Sequence, residues 1–160
     1  MEKRIHFLQK IRKELIFTGI KGETWEEVLR GTASRLLAAG AVKESYADAV
    51  VEREREYPTG LPIGRVNLAL PHTYPQHVRE HAVAIAVPAH PVLFQSMDDP
   101  DAMVEVSLLV CPLLDKMEEN IQLLPSLMKY FANEEIIAEL AAAGSAQAVF
   151  RKLQQGAAIA

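Results

Sequence analysis

The chain has 160 residues, 49% of them apolar and 24% charged, with a formal net charge of −4. This is the composition of an ordinary globular domain, long enough for one substantial core, and its acidic balance supplies no basic footprint for nucleic acid. A single cysteine, Cys111, excludes an intrachain disulfide. No apolar run approaches bilayer-spanning length, and MEKRIHFLQKIRKEL lacks the apolar core of a signal peptide, so the expected compartment is the cytoplasm.

In chain order, Ile5, Leu8, Ile11 and Leu15 recur at helical spacing and predict a helical arm over residues 1–13. Leu15-Ile16-Phe17 predicts a short strand. A helix is expected from Thr24, whose hydroxyl can cap it with Glu27 completing a capping box, to Gly40. Val28, Ala33, Leu36 and Leu37 would form its apolar side. A second helix is predicted from Lys43 to about Glu56.

YPTGLPIG, with two prolines and two glycines, must be a loop. Asn67 to Leu70 predicts a strand that ends at Pro71-His72, and Thr73-Tyr74-Pro75-Gln76 predicts a further helix start. The aliphatic runs AVAIAV and Val104 to Val110 predict strands covered on both faces. Helices are expected over 115–131, 133–142 and 145–155. The expected fold class is α/β: a single domain over residues 1–160, with a mixed sheet flanked by helices on both faces.

The chemistry concentrates in LALPHT, residues 68–73. A short strand delivers His72 to the carboxyl edge of the sheet, where α/β proteins place ligand and catalytic groups. Amides at the following helix start would offer an anion site. A neutral imidazole is nucleophilic near pH 7, and once phosphorylated it is a good donor. On spacing alone an ordinary loop histidine is the favoured reading of His72, because a motif without context is a weak signal.

A rival motif is His77-Val78-Arg79-Glu80-His81, which fits the H-x-x-E-H zinc pattern of inverted zincins. It needs His77 and His81 on one helix face with Glu80 as general base, and it lacks a candidate third ligand. His90 lies in a proline-rich loop, His6 has no evident partner, and Cys111 suits a small buried hydrophobe.

The run REREYPTGLPIGRVNLALPHT resembles the active-site segment of type-2 IIA domains, the fructose–mannitol family of the bacterial phosphotransferase system. Arg53-Glu54, Thr59-Gly60 and Ala69-Leu70-Pro71-His72 carry the likeness, and PTGLP looks most like the galactitol-type branch. The resemblance implies that His72 accepts a phosphoryl group on Nε2 and that Arg53 stabilises it. Thr59 and Thr73 would line the binding site.

In mannitol-type relatives a second active-site histidine stands where this chain has Asn120, which can donate a hydrogen bond but carries no charge. Implied partners are phospho-HPr as donor, a IIB component as acceptor and, indirectly, the membrane component IIC. No metal or organic cofactor is implied. Regulatory, nitrogen-type relatives use the same phosphohistidine as a signal, and the carrier sequence separates the two roles poorly.

Overall fold

The computed structural model describes residues 6–114 and 117–159, and the side chains of 8–114 and 123–155. Strand β1 (Ile11–Ile20) is followed by helices α1 (Trp25–Ala38) and α2 (Tyr46–Glu56), then by β2 (Gly60–Leu61) and β3 (Asn67–Ala69). Next come β4 (Ala82–Pro88), β5 (Val92–Gln95) and β6 (Met103–Leu113), and the chain closes with α3 (Met117–Phe131), α4 (Glu134–Ala141) and α5 (Ala146–Ile159). The strands form one six-stranded sheet in the order β1-β4-β6-β3-β2, with β5 also paired to β6. It is mixed: β1 with β4 and β3 with β6 run parallel, the other pairs antiparallel. This is the α/β class expected.

Strand β4 shows why both faces are covered. Side chains alternate across a strand, so Ala82, Ala84 and Ala86 join Leu29, Leu36, Tyr46, Val50 and Val51 beneath α1 and α2. Val83, Ile85 and Val87 join Leu127, Phe131, Ile137, Leu140, Val149 and Leu153 beneath α3, α4 and α5. The small residues let α1 and α2 approach closely, and the branched ones fill the opposite layer.

Helix α1 has the predicted cap, with Glu27 N donating to Thr24 Oγ1 at 3.2 Å. The glutamate accepts from Glu23 N at 3.1 Å, one residue beyond the N-cap amide of the standard box. Gly40 ends the segment at φ +77°, a conformation glycine adopts without a Cβ penalty.

Several expectations are corrected. The helical arm predicted over 1–13 divides: a 3-10 turn covers His6–Lys10, and β1, running from Ile11 to Ile20, takes only its last three residues, while residues 1–5 lie outside those described. The pairing of β1 with β4 slips register between Ile11 and Ile16 and again between Phe17 and Ile20. Those irregularities put the buried side chains at Ile11, Leu15, Ile16 and Ile20, so that Ile11 and Leu15 stand four residues apart and imitate a helical period.

The helix expected after Thr73 is only a 3-10 turn, Pro75–His77. The chain is drawn into extended pairing instead: Val78 bridges Val42, Lys43 N donates to His77 O at 2.9 Å and Arg79 N to Ala41 O at 2.9 Å. Strands β2 and β5 were not anticipated; β2 is two residues in a turn-rich loop, and β5 follows a proline.

Candidate functional site

Three elements meet around His72: the end of α2, the turn from Tyr57 to Gly60, and the chain leaving β3. The turn is fixed on both sides. Gly60 O accepts from Met97 N at 2.8 Å, and a Cβ on Gly60 would lie 2.7 Å from Gln95 O, so only glycine fits beside β5.

On its other side a buried carboxylate holds the turn. Glu54, 4% exposed, accepts from Thr59 N at 2.6 Å and from Thr59 Oγ1 at 2.8 Å. Thr59 Oγ1 in turn accepts from Leu70 N at 3.0 Å. Its single proton is therefore committed to Glu54, and Thr59, predicted as a binding residue, serves here to tie the turn to the strand end.

His72 is half-buried, with Nδ1 2.7 Å from Leu70 O. A carbonyl only accepts, so Nδ1 carries the proton and Nε2 keeps its lone pair. Among the described residues no hydrogen bond engages Nε2. Burial lowers the imidazole's pKa, with the Arg53 charge adding to the effect and the Leu70 bond opposing it. At neutral pH the ring is neutral and nucleophilic.

Arg53 lies near enough for its charge to bear on His72. Its guanidinium donates to Tyr74 Oη at 2.8 Å and stands 4.3 Å from the Tyr57 ring centre and 5.1 Å from that of Tyr74. Both tyrosines are exposed, so a cation is held between two aromatic side chains at the protein surface. Arg55 points elsewhere, pairing with Glu26 at 3.0 Å and Glu52 at 2.9 Å.

Thr73 is 5% exposed, and its Oγ1 has no hydrogen-bond partner among the described residues. Asn120 falls in α3 at a position whose side chain is outside those described. Sequence reasoning missed the functional placement of Glu54, Tyr57 and Tyr74. Glu54 stood in the quoted Arg-Glu pair, and each tyrosine stands within two residues of a quoted site residue, His72 or Thr59.

The zinc constellation is not formed. With only one 3-10 turn before extended backbone at Val78, His77 and His81 do not share a helix face. His77 Nδ1 lies 2.7 Å from Ser45 Oγ, and Glu80 is bonded to Arg12. Among the described residues no cluster of three or more His, Cys, Asp or Glu side chains could hold a metal ion. The expected helix N-terminus beside His72 is likewise missing, and with it the dipole assistance to an anion. Cys111 is buried in the core; burial, and then the Glu54 charge, push its pKa up to about 12, so it stays a thiol.

The family model described as phosphoenolpyruvate-dependent sugar phosphotransferase system, EIIA 2, matches residues 9–156. The chain belongs to this family. Such EIIA components are phosphotransferases that relay phosphoryl groups in sugar transport. The galactitol-specific EIIA component of Escherichia coli K12 is 30% identical over 123 residues, covering 77% of this chain and 81% of that protein. The mannitol-specific EIICBA component of the same strain is 29% identical over 147 residues, 91% of this chain but 22% of that protein.

The crystal structure of the mannitol IIA of E. coli matches with a TM-score of 0.70 at 27% identity, covering 89% of this chain and 97% of that one. A second solved structure, at 25% identity and a TM-score of 0.70, is a complex of the E. coli mannitol IIA with phosphorylated IIB. Among the described residues no helix of this EIIA component is long and apolar enough to cross a membrane.

Proposed function

We propose that this EIIA component takes a phosphoryl group from phospho-HPr onto His72 Nε2 and delivers it to the cysteine of a IIB partner. The observation that carries the proposal is the bond from His72 Nδ1 to Leu70 O, which leaves the Nε2 lone pair unengaged. In the loading step that lone pair attacks phosphorus in line, a new N–P bond forms, and the donor's N–P bond breaks with its electron pair leaving on the donor imidazole. In the unloading step a IIB thiolate attacks, and the electron pair returns to Nε2.

Both steps exchange one nucleophile for another, so positioning and charge stabilisation carry most of the rate. Arg53 supplies the charge, exchanging its bond to Tyr74 Oη for phosphoryl oxygens. The unpartnered Thr73 hydroxyl is suited to donate to the same oxygens after a small rotation, and Asn120 would contribute a donor where mannitol-type relatives carry histidine.

Residues 1–160 act as one carrier unit in the cytoplasm, beside a IIC membrane component that selects the sugar. The 30% identity to a galactitol-specific component supports a polyol transport role over a signalling one. The test is incubation with phosphoenolpyruvate, enzyme I and HPr, followed by phosphosite mapping under alkaline conditions that preserve phosphohistidine. Phosphate found on His72 supports the proposal, and phosphate on another residue, or none, overturns it.

A further inference from the structure

We infer that Glu54 is a positioning residue for phosphoryl transfer, acting through Thr59 and Leu70 to set the tautomer and orientation of His72. This rests on the role proposed for His72. With Glu54 ionised, the chain of bonds has one consistent direction. Leu70 N can only donate, and it does so to Thr59 Oγ1 at 3.0 Å. The Thr59 hydroxyl has a single proton, which must therefore point to Glu54 Oε1, 2.8 Å away. Glu54 Oε2 accepts from Thr59 N at 2.6 Å, so both carboxylate oxygens act as acceptors, as an ionised carboxylate requires.

At the far end, Leu70 O receives the Nδ1 proton of His72 at 2.7 Å. Leu70 is thus gripped at its N–H while its carbonyl faces the imidazole. Pro71, which follows it, has no N–H to compete. Rotating Leu70 would turn its carbonyl away and release Nδ1, making the Nε2–H tautomer, which has no lone pair for phosphorus, as accessible as the reactive one.

A purely mechanical fastening of the turn does not need a charge. Glu54 is buried with no ion pair among the described residues, and burial raises its pKa to about 7 despite the two bonds from Thr59. Neutral side chains make turn-fastening bonds without desolvating a charge. A carboxylate differs in accepting at both oxygens, and that gives the Thr59 proton a fixed acceptor and leaves a hydroxyl lone pair for Leu70 N. The buried groups nearest in charge are Cys111 on β6 and, through it, Tyr46 on α2, both raised in pKa. Neither offers Glu54 a compensating cation.

The experiment compares parent, Glu54→Gln, Thr59→Val and Thr59→Ser by long-range proton–nitrogen correlation spectra of the imidazoles at pH 8. The His72 signals are assigned by their loss in His72→Gln. Transfer rates from phospho-HPr are measured on the same samples. Glu54→Gln keeps the side-chain volume but presents an amide donor to a hydroxyl that already accepts from Leu70, so it tests the relay even where Thr59→Val does not fold.

The parent and Thr59→Ser should show the Nδ1–H tautomer alone. Glu54→Gln and Thr59→Val should show a mixture and a rate lower by roughly tenfold to a hundredfold, the scale of a small misplacement of a reacting group. Folded Glu54→Gln with the parent tautomer, or with a mixed tautomer and the parent rate, overturns the inference. A parent that takes phosphate elsewhere than His72 defeats the carrier role, while the tautomer spectra still decide the relay.

Discussion

The two faces of the sheet are built from different materials. Beneath α3, α4 and α5 the buried side chains are aliphatic or phenylalanine, and β4 offers Val83, Ile85 and Val87. Beneath α1 and α2 the same strand offers three alanines, and the layer also houses Tyr46 and Cys111, with Glu54 buried on α2. The site draws Arg53 and Glu54 from this second face and nothing from the described side chains of the first. Buried polar groups cost stability wherever they are placed. With Glu54 on α2, the opposite layer is free to supply packing that offsets its cost.

The largest expected effect comes from His72→Gln. Because His72 is at a strand exit and half-buried, the variant should fold with the parent's unfolding midpoint yet accept no phosphoryl group. Acceptance by a folded variant, measured with labelled phosphoenolpyruvate, would remove the polar face's claim to the chemistry.

On the opposite face, Phe131 is fully buried. Phe131→Ala should cost about 3–5 kcal/mol by urea unfolding, the usual range for emptying such a site. The transfer rate of the folded fraction should stay at the parent value. A slowed rate in fully folded protein would show that the two faces are coupled.

The third test sets stability against pH. Burial raises Glu54 from 4.5 to about 7 in the folded protein, so between those values the folded state holds a proton that the unfolded state has released. Stability from this group is then fully present below pH 4.5 and is lost as pH rises toward 7. The loss amounts to about 3 kcal/mol at 1.36 kcal/mol per pKa unit. Glu54→Gln removes the slope. Urea unfolding at pH 5 and pH 8 should show the variant gaining about 3 kcal/mol on the parent across that interval, and a constant difference would refute the burial argument. Transfer needs the ionised carboxylate, so activity and stability should move in opposite directions with pH.

Within α2 the contrast narrows to neighbours. Arg53→Ala should slow transfer from phospho-HPr by roughly tenfold to a thousandfold, the effect of losing one electrostatic contact, and Arg53→Lys should restore only part of it. Arg55→Ala should stay within about twofold, because Arg55 makes exposed ion pairs on another side of the helix. A slow Arg55→Ala beside a normal Arg53→Ala would place the charge on the wrong arginine.

Legibility followed the range of the interactions. The Thr24 cap, the helices α1, α2 and α4, and the strands β4 and β6 were readable because capping and periodicity act within a few residues. The start of β1 misled because its register slip sets Ile11 and Leu15 at a helical interval. Thr73 and Pro75 carry a genuine helix-start signal, yet backbone pairing of Val78 with Val42 outweighs it, and local propensity commonly yields to tertiary hydrogen bonding.

Of the candidate site, His72 and Arg53 were named through a motif. The roles of Glu54 and Tyr74 were not, since each depends on a partner 5 and 21 residues away. By itself the sequence determined the class of fold, the family and the residue types available for phosphoryl chemistry, all written in local patterns. Only the tertiary structure decided which imidazole nitrogen carries the proton, where the guanidinium rests and why a carboxylate is buried beneath the site. Those outcomes turn on donor and acceptor directions across separate segments, and hydrogen bonds acquire direction only once the chain is folded.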